Sequence, residues 1–220
     1  MISLAAAYLF SSVLRPIDDT VTITASEDVW VYPNASDPGA DETFKVWGVG
    51  GRSVAEKPGE AESFGYGYLK FEVPTLPEGK KLVSAWMILK PAASMKIDKN
   101  AKDYPLEVHS LVGTFSEKSW TYDMSSKVYP DKFIYGRGVV AQAEGSTDPN
   151  NLVIAVDLND NKTDSFKTAL TKAVADKTSL YFALASKYDA SEGGREGIYR
   201  IYTKDRKEGD SKPKIVLKFE

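Results

Sequence analysis

Asp157, Asn159, Asp160, Asn161 and Asp164 crowd one short stretch of the chain. Carboxylate and carboxamide oxygens are the hard ligands that Ca²⁺ selects, so Asp157, Asn159, Asp160 and Asp164 form a candidate calcium site. The spacing is not that of an EF-hand loop, which needs a glycine at its sixth position and a glutamate at its twelfth. The same residues also suit a helix start, where acidic and amide side chains meet free N–H groups. Asp37, Asp41 and Glu42 make a second, sparser oxygen cluster. Aromatic residues offer a different chemistry. They form 11% of the chain, with 12 tyrosines. Trp47, Tyr66, Trp120 and Tyr122, with Tyr68 beside them, are candidates for stacking against the rings of a polysaccharide. In a sheet, the same residues serve equally as core or as cross-strand pairs.

Other chemistries are excluded or thinly supported. The chain has no cysteine, which removes disulfides, thiolate zinc sites and cysteine nucleophiles. One histidine, His109, cannot build a multi-histidine metal centre. It lies in an alternating strand near Glu107, with its immediate neighbours on the opposite face, and a structural role is expected. Neither G-x-S-x-G nor H-E-x-x-H occurs. With 31 acidic residues a carboxylate pair for glycoside cleavage is conceivable, but no spacing singles one out, and no enzymatic activity is expected. The 28 basic and 31 acidic residues give a net charge of -3, which lacks the basic face that nucleic acid requires. Two sequons, at Asn34 and Asn161, fall in predicted loops and are candidate glycosylation sites. A glycan on Asn161 would compete with calcium there.

The elements that position these residues read as strands. At 220 residues, 42% hydrophobic and 27% charged, the chain suits one domain with a real core. Runs rich in β-branched and aromatic residues cover 20–24, 28–32, 43–47, 68–73, 82–89, 106–111, 152–158, 179–185, 198–203 and 214–219. The run 82–89 is apolar on both faces and predicts a central strand. Glycine, proline, asparagine and aspartate clusters separate the runs. One amphipathic helix is predicted after Asp164, from Phe166, Leu170, Ala173 and Val174. About ten strands with a single short helix predict an all-β fold, an antiparallel jelly-roll β-sandwich over 20–220. The stretches 48–63 and 114–151 are expected to be surface loops or to hold short edge strands.

Residues 1–19 are different. The first 14 carry no charge and are too short for a bilayer, which takes about 20 apolar residues. If extended, Ile2, Leu4, Ala6, Tyr8, Phe10 and Leu14 share one face, followed by a hinge at Arg15 and Pro16. Such an arm suits donor-strand complementation, in which one subunit's segment completes the sheet of the next. A signal or anchor, an ordinary first strand and a short helix are the alternatives.

Several motifs in order resemble the DNRLRE domain, the disaggregatase-related β-sandwich of secreted microbial proteins. The stretch 22–31 is similar to its opening strand pair, and 67–79 followed by 83–89 to its central pair. Glu117 with Ser119, Trp120 and Thr121, then 156–158, 202–205 and 212–217, resemble its later elements. The match covers about 20–219 and rests mainly on core positions. The arginines and glutamates that name the family are mostly lysine and aspartate here. The resemblance implies a sandwich fold, and some relatives are non-catalytic carbohydrate-binding modules.

Two functions are therefore expected. The first is an extracellular or cell-surface filament subunit, polymerising head to tail with copies of itself through the donated arm, in adhesion or biofilm. Burying some six large side chains at about 25 cal/mol per Å² contributes on the order of 10 kcal/mol before entropy costs. Head-to-tail insertion is heterologous, so it propagates rather than closing. The alternative is a secreted carbohydrate-binding module with a polysaccharide partner. Calcium is the one cofactor suggested.

Overall fold

The computed structural model describes residues 19–92, 103–148, 150–159, 164–207 and 209–220. Twelve strands are present: β1 (Thr20–Thr24), β2 (Glu27–Val31), β3 (Thr43–Val46), β4 (Tyr66–Glu72), β5 (Leu82–Leu89), β6 (Leu106–Val112), β7 (Tyr129–Gly138), β8 (Val140–Gln142), β9 (Leu152–Asp157), β10 (Ser179–Ser186), β11 (Tyr199–Tyr202) and β12 (Lys214–Phe219). Two α-helical segments accompany them, α1 (Ser165–Asp176) and α2 (Ala190–Gly193). The strands form two five-stranded antiparallel sheets, β1-β12-β5-β9-β8 and β2-β4-β10-β6-β7, and a two-stranded ribbon, β11-β3. The protein is an all-β sandwich.

Period-two patterning builds the core. In β4, Leu69 and Phe71 point between the sheets, and Leu69 pairs in register with Phe182 of β10. From the facing sheet come Ala85, Met87 and Leu89 of β5, Ile154 and Val156 of β9, and Ile215 and Leu217 of β12, all fully buried or nearly so. Strand β5 is central, as expected. Its second face is open, however: Trp86 is 39% exposed and Val83 47%.

The two long excursions do more than loop across the surface. Residues 54–63 and 117–126 form short 3₁₀ turns. The turns and the residues flanking them supply Val54, Ala61, Phe64, Phe115 and Trp120 to a second buried cluster with Val29, Val31, Tyr66, Tyr68, Ala183 and Ala185. These strand residues lie on the outer face of the β2-β4-β10-β6-β7 sheet, so β2, β4 and β10 carry buried residues on both faces. The second excursion also contains the ten-residue edge strand β7. There Gly136 lets the edge abut β9 of the other sheet, since a Cβ at that position would sit 1.9 Å from the Asp157 carbonyl oxygen.

The ends are closed by different devices. Helix α1 buries Phe166, Leu170 and Ala173, with Phe166 stacked 6.3 Å from Phe182. The ribbon covers the other end, where Phe44, Val46, Tyr199 and Ile201 join the core. It is tied to the sheets by Trp47 N–H to the Gly65 carbonyl (2.9 Å) and Ala92 N–H to the Arg200 carbonyl (2.8 Å). The alternation that buries Phe44 and Val46 turns Lys45 and Trp47 outward.

Candidate aromatic binding cleft

Three half-buried aromatic rings meet at the ribbon end of the sandwich. Trp30 comes from edge strand β2, Tyr32 from just beyond it, and Trp47 from just beyond β3. Trp30 and Tyr32 stack with centroids 5.1 Å apart and planes 17° from parallel. Trp47 meets Tyr32 edge-on, 5.3 Å away at 65°. The Trp30 indole N–H donates to the Lys45 carbonyl at 3.0 Å, and the Lys45 ammonium lies 5.4 Å from the Trp30 ring centroid. Trp47 holds its place by lying directly on Gly65, where a Cβ would come within 2.0 Å of the indole.

These rings line a cleft of about 400 Å³ with Lys45, Ala190, Ser191, Arg195, Ile198 and Arg200. The far wall is a short loop anchored from beneath. The buried Tyr188 hydroxyl donates to the carbonyls of Gly193 (2.6 Å) and Gly194 (3.0 Å). Asp189 accepts from Ser191 N–H (2.9 Å), from the Ser191 hydroxyl (2.6 Å) and from Gly50 N–H. The Ser191 hydroxyl bond, with those backbone donors, holds the Asp189 carboxyl below its ordinary range. The cleft can therefore offer flat apolar surface, indole and hydroxyl hydrogen-bonding groups, and cationic side chains.

Of the four aromatics proposed for stacking, only Trp47 lies in this cleft. Tyr66 and Trp120 are interior, with Trp120 packed edge-on against Tyr68 at 5.3 Å. Tyr122 is half-buried on a separate cleft of about 640 Å³ shared with Glu62, Asp123, Ser125 and Tyr129. Burial, with the charge of Glu62, raises its phenol above the ordinary value. Trp30, Tyr32, Lys45, Arg195 and Arg200 escaped the sequence reading. The available signal was the alternation of Trp30 and Tyr32 with Val29 and Val31, and of Lys45 and Trp47 with Phe44 and Val46.

The described members of the oxygen clusters make other bonds. Asp157 Oδ1 accepts from Asn159 N–H (2.9 Å), and Asp164 begins α1 through its carbonyl, which accepts from Thr168 N–H (2.8 Å). Asp160 and Asn161 lie outside the described residues. Glu42 pairs with Arg206. Among the described residues, no group of three or more histidine or acidic side chains is placed to hold a metal ion. Asn34 is exposed in the turn after β2. The arm residues Ile2, Leu4, Ala6, Tyr8, Phe10 and Leu14, and the hinge Arg15 and Pro16, also lie outside the described residues.

Glu107 and His109, two residues apart on β6, share one buried face. The Glu107 carboxylate meets His109 Nε2 at 3.1 Å and accepts from Arg137 Nε at 3.1 Å, while His109 Nδ1 lies 2.8 Å from the Asp131 carbonyl. Burial pushes the Glu107 carboxyl up, but the bonds and charges of His109 and Arg137 outweigh it and leave it below the ordinary value. Comparison with protein-family models and with curated proteins finds no match to this chain.

Proposed function

We propose that this protein is a non-catalytic saccharide-binding β-sandwich that acts outside the cell. The observation that carries the reading is the gathering of Trp30, Tyr32 and Trp47 into one open cleft on a rigid scaffold. Buried aromatics need no ligand to account for them, whereas half-exposed rings grouped in a concavity mark a binding surface. Sugar rings carry an apolar C–H face that packs on an indole or phenol, and hydroxyl edges that bond to neighbouring polar groups. The resemblance to DNRLRE domains points the same way. The test is retention in native affinity gels containing soluble polysaccharides. Trp47→Ala is expected to abolish retention while leaving the folded state intact by circular dichroism. Unchanged retention would refute the assignment of this cleft.

A second reading keeps donor-strand assembly. In its favour, the uncharged, largely apolar residues 2–14 precede β1 by a short hinge, and β1 is an edge strand paired only with β12 among the described residues. Full-length chain is expected to form fibres under the electron microscope, and a chain starting at Asp18 to stay monomeric. Equal monomers from both would end this reading.

A further inference from the structure

We infer that the cleft is built for an acidic saccharide, a chain whose sugars carry carboxylate or sulfate groups; the inference rests on the saccharide-binding reading above. Among the described residues, its lining contains three cations, Lys45, Arg195 and Arg200, and no carboxylate. The nearest acid in the sequence of that wall, Asp189, already accepts three hydrogen bonds from the loop it braces. Glu192 and Glu196 belong to the same loop but not to the lining. The chain as a whole is acidic, at -3, so a lining with three cations and no acid runs against its average.

The sheet register strengthens the argument. Lys45 of β3 and Arg200 of β11 are direct cross-strand partners. Both side chains line the same cleft. A guanidinium also matches the two oxygens of a carboxylate or sulfate, which a neutral sugar lacks. Arg195 comes from the loop after Asp189, so an acidic sugar seated against Tyr32 and Trp47 would meet cations from the ribbon and from that loop. The aromatic rings then supply sugar stacking, and the cations select charge.

The experiment measures titration calorimetry of the full chain with polygalacturonate, dextran sulfate and uncharged dextran, at low and high salt. Variants are Arg195→Gln, Lys45→Gln and Trp47→Ala. Polygalacturonate or dextran sulfate is expected to bind, and whichever binds more tightly identifies the carboxylate or the sulfate as the group recognised. Arg195→Gln and Lys45→Gln should each weaken that binding by about tenfold or more, the usual scale for a charge-assisted hydrogen bond. High salt should weaken it further. If uncharged dextran binds as well as the polyanions, or the two glutamine variants bind polyanion like the parent, the inference is overturned while the saccharide reading stands. If no saccharide binds, both fail. Polyanion binding that survives Trp47→Ala but falls in the glutamine variants would refute the stacked site and reduce the cleft to a charge patch.

Discussion

Asp28 offers the sharpest test of the electrostatics. It is 1% exposed on edge strand β2, and its carboxyl accepts from Lys204 N–H at 2.7 Å. Burial is the dominant influence and raises its pKa from 3.8 to about 7. The Lys204 amide and ammonium oppose the rise, and the nearby charges of Asp205 and Glu117 add to it. In the unfolded chain Asp28 ionises near 3.8, whereas the folded protein keeps the proton until about pH 7. At this group the native state therefore binds more protons across that window, and the Asp28 contribution to stability falls as pH rises from about 4 to 7. The gap of about three pKa units corresponds to about 4 kcal/mol. Asp28→Asn removes the titration and keeps an oxygen to accept from Lys204. Relative to the parent, the variant should be near neutral at pH 4. By pH 8 it should be more stable by up to about 4 kcal/mol. Urea unfolding at several pH values, followed by fluorescence of the four tryptophans, measures this difference directly. Subtracting parent from variant cancels the other carboxylates. A difference that stays flat between pH 4 and 8, or that falls, would refute the reasoning.

Gly65→Ala should disable the cleft without replacing a lining residue. The new Cβ would fall 2.0 Å from the Trp47 indole, so the ring must swing away. Saccharide retention should drop as far as it does for Trp47→Ala, with crystal or NMR data showing the displaced ring. Glu107→Ala leaves buried His109 without its carboxylate partner and should cost about 1–3 kcal/mol in urea unfolding, the usual cost of leaving a buried polar group unsatisfied. The Glu107 carboxyl is held below its ordinary value in the fold, so its contribution is present at neutral pH and is lost as pH falls through the folded value. Acid unfolding of the parent should therefore carry a component that Glu107→Gln lacks. Phe166→Ala should cost about 3–5 kcal/mol in urea unfolding, since the ring is fully buried between α1 and β10.

The ten expected strands are all present because each carries its own alternation or apolar run, a signal that is local to the segment. Strands β7 and β8 lacked that signal. Tyr129–Gly138 contains Pro130, Asp131 and two glycines, which read as turn chemistry. An edge strand tolerates a proline because one row of its hydrogen-bonding groups needs no partner. The glycines serve contact with β9, a neighbour from elsewhere in the chain. The burial of Tyr66 and Trp120 was equally hidden, because the excursions that cover the outer sheet face carry no periodic pattern.

The site separates the two kinds of information more clearly. Composition supplied the aromatics, and alternation supplied which way Trp47 faces. What makes a cleft is the meeting of residues near 30, 45 and 195, and that meeting is fixed by cross-chain pairing. Lys45 opposes Arg200 only because β3 pairs with β11 in one register. A slip of one residue would turn Lys45 and Trp47 inward and send Phe44 and Val46 to solvent. The fully buried Phe44 and Val46 hold that register, and with it the outward face. The binding surface is thus specified by the core residues that alternate with it. It follows that Val46→Ala, which replaces no lining residue, should loosen the ribbon and weaken saccharide binding along with stability. An unchanged affinity in a destabilised Val46→Ala protein would show that the cleft is held by its own loop instead.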